Sequence, residues 1–264
     1  MQLNGARVIV TGASSGIGRA IALEFARRGA RVALAARSET ALHEVAREIR
    51  DQGSEAVVIP TDVTIAAQVE RMTRETIRAL GGIDVLVNNA GVGLNATIAD
   101  ASGSDVEALF RLNVLAAADA IRAVLPIMRA QQSGMIINIS SVAGRIVVPR
   151  IGYYSASKFA LTAIGDALRM EEGHHGIRVM NVFPGTTRSS FGKNRLGARG
   201  SLAHQRVPPV PAENVARRIA NAVEHNQGSV YVSWIPDRLG VVANHVAGWA
   251  VSAVLRRWAR RAEA

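Results

Sequence analysis

Tyr154 and Lys158 stand four residues apart in the run Tyr154-Ser155-Ala156-Ser157-Lys158. On a helix that spacing puts both side chains on one face, one turn from each other. An ammonium beside a phenol favours the phenolate, because opposite charge stabilises the ionised form. A free tyrosine titrates near about 10, too high for efficient proton exchange at neutral pH. Brought closer to neutrality it becomes a usable general acid/base. The lysine is informative because Lys158 and Lys193 are the only lysines among 31 basic residues. A chain that otherwise uses arginine keeps a lysine where a guanidinium would not serve. Tyr153 is five residues from Lys158 and points to another helix face, so it reads as a pocket wall or packing residue.

A second chemistry is written near the start, in Thr11-Gly12-Ala13-Ser14-Ser15-Gly16-Ile17-Gly18. An apolar strand runs into this turn and an apolar helix leaves it. Glycines there let backbone approach a pyrophosphate, and the helix N-terminus offers free N–H groups and partial positive charge. The spacing is G-x-x-x-G-x-G rather than the G-x-G-x-x-G dinucleotide fingerprint. The turn predicts phosphate contacts from Gly12, Ser14, Ser15, Gly16, Ile17 and Gly18. About 20 residues on, an NAD-binding chain would present a carboxylate to the ribose 2′-hydroxyl. Here the strand ends Ala35-Ala36-Arg37-Ser38. An arginine in that place suits a 2′-phosphate, so NADP(H) is expected in preference to NAD(H). The other readings of Arg37 are stacking on adenine or facing solvent, and Glu39 would weaken the preference by folding back on it.

The elements that must position these groups follow from the hydrophobic pattern. Short apolar runs at Arg7–Thr11, Arg31–Ala35, Ala56–Pro60, Val85–Asn88, Met135–Ser140, Arg178–Phe183 and Ser229–Val232 alternate with helical stretches near 17–28, 39–52, 65–80, 104–131, 153–173 and 212–226. Alternation of this kind predicts an α/β fold, a doubly wound, seven-stranded parallel sheet of Rossmann type with helices on both faces. The 264 residues are 48% hydrophobic, enough for one domain with a sizeable core. There is no cysteine, which excludes a disulfide framework and a thiolate metal site. The start MQLNGARVIVTG has no signal-peptide pattern, so a cytoplasmic location is expected. The net charge of +10 comes almost entirely from arginine. Without a basic aromatic stripe or a recognisable nucleic-acid motif, it reads as arginine spread over solvated helix faces, and no nucleic-acid partner is expected.

Together these motifs resemble the short-chain dehydrogenase/reductase family in its single-domain form of about 250 residues, over residues 5 to 235. The resemblance rests on the turn at 11–18, on Asp62-Val63 after the third strand and on Asn88-Asn89-Ala90-Gly91 after the fourth. It rests further on Asn113 in a long helix, Ser140-Ser141 ending the fifth strand, the Tyr154/Lys158 pair and Pro184-Gly185 after the sixth strand. It implies that Asp62 and Val63 hold the adenine, and that Asn89, Ala90 and Gly91 line the cofactor pocket. Tyr154 would be the general acid/base and Lys158 would lower its pKa while holding the nicotinamide ribose. Ser141 would bond the substrate oxygen, and Asn113 would hold a water leading from Lys158 to solvent. Ser140 and Ser141 face opposite sides by strand alternation, and Ser141 is the one assigned to the site. Pro184, Gly185, Thr187 and Ser189 would border the nicotinamide. Thr187 stands where the family usually has an aliphatic residue, and Ser189 where it has threonine.

Residues 189–210 are rich in Gly, Ser, Arg and Pro and read as a substrate lid or as a surface loop. His174 and His175 precede Gly176 at a helix end; no second ligand cluster has helical spacing to join them, and no metal is expected. Domain limits are placed at 1–235, with a C-terminal apolar helical extension at 236–264. Leu239–Leu255 carries no Asp, Glu, Lys or Arg and is followed by Arg256, Arg257, Arg260 and Arg261. Packing on a neighbour or over the active site, a peripheral membrane contact through 239–261, and spanning are its three readings. The expected function is an NADP(H)-dependent oxidoreductase interconverting a carbonyl and a secondary alcohol on a small or medium apolar molecule. The alternatives are an enoyl or acyl-carrier-linked ketone reductase and a non-catalytic dinucleotide-binding redox sensor. The resemblance also implies a homodimer or homotetramer paired through the helices at 104–131 and 153–173.

Overall fold

The computed structural model describes residues 1–189, 191–192, 195–197, 208–233, 241 and 243. Apolar strands β1 (Arg7–Thr11), β2 (Arg31–Ala36), β3 (Ala56–Pro60), β4 (Val85–Asn88), β5 (Gly134–Ile139), β6 (Ile177–Pro184) and β7 (Ser229–Val232) form one sheet. Every pairing is parallel, in the spatial order 3-2-1-4-5-6-7. The chain therefore runs outward from β1 to β3 and returns to β4 on the other side of β1. That reversal opens a crevice beyond the carboxyl ends of β1 and β4, where a doubly wound sheet takes its ligand.

Strand alternation divides the core between two faces. Val8, Val10, Val85, Val87, Met135, Ile137, Met180 and Val182 pack with helices α1 (Gly16–Arg27), α2 (Glu39–Asp51) and α7 (Ala212–Glu224). Ile9, Leu86, Ile136, Ile177 and Val179 pack on the opposite face with α3 (Ala66–Leu80), α5 (Ala116–Gln131) and α6 (Gly152–Glu172). Each fully buried aliphatic side chain contributes about 1.5–3 kcal/mol relative to exposure. Arg28, at the C-cap of α1, donates to Glu24 of its own helix and to Glu224 and Asn221 of α7 and its end, tying that layer together.

Two features depart from the expected pattern. The helix expected over 104–131 is broken: α4 (Gly103–Phe110) passes through a π-helical turn, Arg111–Leu115, before α5 begins. The extra residue in that turn carries Asn113, whose side chain bonds Val92 in both directions. π-Turns gather at functional sites because they re-aim a side chain without ending the helix. The second departure lies inside the sheet. Asn88, Asn138 and Asn181 occupy facing register positions on β4, β5 and β6. Asn88 donates to Asn138 (3.0 Å), Asn138 to Asn181 (3.3 Å), and Asn181 to Asp166 (2.9 Å) and to the Thr162 carbonyl (3.1 Å) of α6. This ladder ties three strands and α6 directly below the mouth of the crevice.

Gly165 makes the ladder possible. A Cβ there would lie 2.2 Å from Asn181 Oδ1 and 2.8 Å from Asn138 Nδ2. Among the described residues no helix is long and apolar enough to cross a membrane. Apart from residues 241 and 243, the C-terminal extension with its apolar stretch lies outside the described residues, as does part of the 189–210 segment. Gly165→Ala should destabilise the protein by about 2–3 kcal/mol through overpacking, read as a lower urea midpoint at unchanged slope. A cost below about 0.5 kcal/mol would mean that the ladder does not constrain α6.

Candidate active site

The residues singled out by chemistry converge at the carboxyl ends of β1, β4, β5 and β6. Gly12 and Gly16 hold φ of +66° and +57°, a left-handed backbone that glycine adopts without strain. Gly18 has no room for a side chain, since a Cβ would come within 2.3 Å of both Asn89 Nδ2 and the Gly12 carbonyl oxygen. Thr11 locks this turn to β4: its hydroxyl donates to Val87 O and accepts from the N–H groups of Asn89 and Ala90. Asn89 Nδ2 returns a bond to Thr11 O at 2.9 Å. α1 starts after Ser15 with no side-chain cap bond and no acid in its first turn. Its leading N–H groups and partial positive charge are therefore not countered by the helix itself, and a pyrophosphate fits there. Ser14 and Ile17 lie in the same turn, and the Ser189 side chain packs over Gly16, 3.1 Å from where a Cβ would be.

Arg37 is exposed at the end of β2 and next to Ser38, which caps α2 by accepting from the Ala41 N–H. Glu39 pairs along α2 with His43, at 3.7 Å. Asp62 accepts from the Thr64 N–H (2.9 Å) and hydroxyl (2.6 Å). Burial pushes the Asp62 carboxyl up, but the bonds from Thr64 and the charge of Arg37 outweigh it and hold the carboxyl below its usual range. Val63 is buried behind it. This end of the crevice is thus flanked by a fixed carboxylate and an exposed guanidinium.

At the other end, β5 finishes in Ser140 and Ser141, which point opposite ways. Ser140 is buried and bonds the Lys158 carbonyl oxygen and the Thr162 hydroxyl. Ser141 caps the short turn Val142–Gly144, accepting from the Ala143 N–H, and its hydroxyl draws the Tyr154 phenol pKa down. Gly152 opens α6, whose inward stripe includes Ser155, Lys158, Leu161, Thr162 and Gly165. Lys158 is buried and donates from Nζ to the Ile139 carbonyl at 2.9 Å. Its Nζ lies 6.0 Å from the centre of the Tyr154 ring. Gly91 leaves space for the inner wall, since a Cβ there would meet Asn113 Oδ1 at 3.0 Å and Lys158 Nζ at 3.5 Å. Asn113 Nδ2 donates to Val92 O and to Ser157 Oγ, and Ser157 donates to Tyr154 O at 2.7 Å. Pro184 and Gly185 close β6, with the Gly185 N–H donating to Val232 O; Thr187 bonds back to Gly185 O.

Burial governs the titration of the central pair. It pushes the Tyr154 phenol up to about 12, against the opposing pull of the Ser141 bond. It brings Lys158 down to about 8. The phenol is therefore displaced away from neutrality, the reverse of what a direct Tyr–Lys pairing implies. Burial is the cause for both groups, and the ammonium is directed to the Ile139 carbonyl rather than to the phenol. Three participants had no assignment from sequence. Thr11, Ser157 and Ser140 are ordinary hydroxyl residues at strand ends or in a helix, and only Ser157 carried a signal, lying between Tyr154 and Lys158 and opposite Asn113.

The short chain dehydrogenase family model matches residues 6–199. A ketoacyl reductase of Nostoc, HetN, is 33% identical over 235 residues, covering 89% of this chain and 80% of that protein. An uncharacterized oxidoreductase of Staphylococcus saprophyticus is 40% identical over 197 residues, or 74% and 84% of the two chains. A short chain dehydrogenase/reductase from Burkholderia phymatum, solved in complex with NAD, superposes with a TM-score of 0.84 at 28% identity, over 93% of this chain and 94% of that one. An alcohol dehydrogenase from Thermococcus sibiricus, complexed with 5-hydroxy-NADP, gives a TM-score of 0.76 at 25% identity, over 86% and 94%.

The lowered Lys158 pKa has a measurable consequence for stability. The unfolded lysine holds its proton up to about 10.4, whereas the folded one releases it near 8. Between these values the unfolded state binds more protons, so stability rises with pH. Relative to Lys158→Met, the wild-type chain should gain stability from pH 8 to 10 at up to about 1.4 kcal/mol per pH unit. Parallel stability curves for the two chains would show an unperturbed lysine.

Proposed function

This chain belongs to the short-chain dehydrogenase/reductase family of NAD(P)-dependent oxidoreductases, and on that premise we propose that it interconverts a carbonyl and a secondary alcohol with NADP(H). The observation that carries the reading is the buried ammonium of Lys158, held on the Ile139 carbonyl with its Nζ 6.0 Å from the centre of the Tyr154 ring, at the end of the strand that leads into Ser141. When bound, the nicotinamide supplies or accepts the hydride. In reduction, Tyr154 gives its proton to the oxygen that gains charge, and Ser141 donates a second bond to the same atom. In oxidation, Tyr154 takes the hydroxyl proton. Lys158 offsets the negative charge left on the phenol and offers its remaining N–H groups to the ribose hydroxyls. Asn113 and Ser157 hold the loop after β4 and the first turn of α6 in register. The NADP(H) preference rests on Arg37, exposed at the end of β2 beside the capped start of α2.

The likeness to a ketoacyl reductase supports a second reading, reduction of an acyl-carrier-linked ketone. Pairing into a homodimer or homotetramer through α4 to α6 is also proposed. Leu115, Phe159 and Met170 are 49%, 38% and 79% exposed on those elements, more apolar surface than a solvated face needs.

Titration with NADPH and NADH, followed by a panel of ketones and an acyl-thioester-linked 3-ketone, tests the reading. Tyr154→Phe should keep NADPH affinity and lose about 10²–10⁴ in turnover; full turnover by this variant would remove the phenol from the mechanism. Arg37→Ala should weaken NADPH about tenfold, the effect of roughly one charge-assisted bond, and leave NADH unchanged. Equal losses for both would reassign Arg37 to adenine.

A further inference from the structure

Away from Ser141 and Lys158, the Tyr154 ring has apolar neighbours from two segments. Ala143, Val148 and Ile151, from the segment after β5, pack into one cluster with the Tyr154 ring. Ile98 lies over Gly152, at the start of α6, with its Cδ1 2.8 Å from where a Cβ would be. From the segment after β6, Phe191 places its ring 5.9 Å from that of Tyr154, at 58°. Two observations fix this last contact. Leu94 and Asn95 pair in parallel with Leu196 and Gly197, and the Leu196 N–H donates to Gly93 O at 2.9 Å. Gly93 has no side chain, and the space is filled: a Cβ would lie 3.2 Å from Phe191 Cε1 and 3.1 Å from Arg195 Cγ. Arg195 donates from Nε to Gly192 O at 3.0 Å.

We propose that Phe191 is a specificity-determining residue, packing against the larger, apolar substituent of the carbonyl held at Tyr154, and that ketones with an uncharged alkyl or aryl arm are the preferred substrate class. The inference rests on the carbonyl–alcohol reading above and deepens it. A carbonyl oxygen at the phenol has one flank against Ala143, Val148 and Ile151 and the other against the tilted ring of Phe191. Ala143, Val148, Ile151 and Phe191 themselves offer no charge to a carboxylate or phosphate arm. Gly93 has the complementary part of admitting the ring to this position.

The test is kcat/KM over a series of 2-alkanones from acetone to heptan-2-one, with a chain-matched keto acid beside each, for the wild-type chain, Phe191→Ala, Phe191→Leu and Gly93→Ala. NADPH binding is measured on every variant to show that it is folded. Wild-type kcat/KM should rise about threefold to fourfold per methylene until the wall is covered, with keto acids poorer than their neutral counterparts. Phe191→Ala should lower the heptan-2-one to acetone ratio at least about tenfold, the loss of a buried aromatic contact. Phe191→Leu should restore most of it, and Gly93→Ala, which shifts the ring without removing it, should give an intermediate value. A ratio in Phe191→Ala within about twofold of wild type, less than one buried methylene is worth, would overturn the proposal, as would a preference for keto acids. Failure of the wild-type chain to turn over any ketone or acyl-thioester ketone, in either direction, would instead overturn the carbonyl–alcohol reading.

Discussion

The ammonium of Lys158 is buried at the end of the sheet, and among the described residues no carboxylate pairs with it. A buried charge is costly unless it is paired or bonded. Here the compensation is a single carbonyl, Ile139 O, and much of the surrounding architecture bears on that arrangement. Gly91 has no side chain, so the ammonium and Asn113 share one wall. Ser140 and Thr162 bond the Lys158 backbone carbonyl and fix where the lysine enters. This explains a lysine in an arginine-rich chain. A guanidinium is wider and stays charged at every accessible pH, whereas an ammonium can respond to burial and to what binds beside it.

The ladder Asn88–Asn138–Asn181–Asp166 serves the same end from below. It replaces three apolar positions on the buried sheet face with polar side chains, a poor choice for stability alone unless the network is satisfied. What it provides is register. β4 ends in the Asn89–Gly91 loop, β5 in Ser141 and β6 in Pro184–Gly185. Bonding these strands side by side, and to α6, sets the heights of the loop, the hydroxyl, the phenol and the Pro184–Gly185 turn relative to one another. A site assembled from separate strand ends needs such a constraint, because apolar packing alone tolerates small sliding.

The frame of this site was legible in the residues, and some of its working parts were not. Strand positions followed from short apolar runs, the crevice from the glycines after β1, and the phenol and ammonium from their spacing. The π-turn at 111–115 was invisible because helical periodicity continues through it; the deviation is set by the demand of Val92 for two bonds from Asn113, a tertiary contact. The asparagine ladder was hidden because Met135–Ser140 and Arg178–Phe183 read as buried apolar strands. The signal lay in a polar amide inside each run, at matching heights. Phe191 sat in a loop without periodicity, and only the pairing of Leu94–Asn95 with Leu196–Gly197 brings it to Tyr154. The direction of the phenol's pKa was hidden for a related reason. Helical spacing places two side chains on one face, but the hydrogen bonds each one finds decide whether they sense each other.

The pair is therefore poised, and closing the gap depends on positive charge arriving beside it. An oxidised nicotinamide is cationic and would stabilise the phenolate directly. Ultraviolet titration of the phenolate band, with and without saturating oxidised dinucleotide and corrected with Tyr154→Phe, isolates this one ionisation. A phenol that ionises near 12 in the free chain and falls below about 10, the unperturbed value, in the complex is the expected result. A Tyr154 that stays near its free value with the dinucleotide bound would contradict its role as the proton-exchanging group.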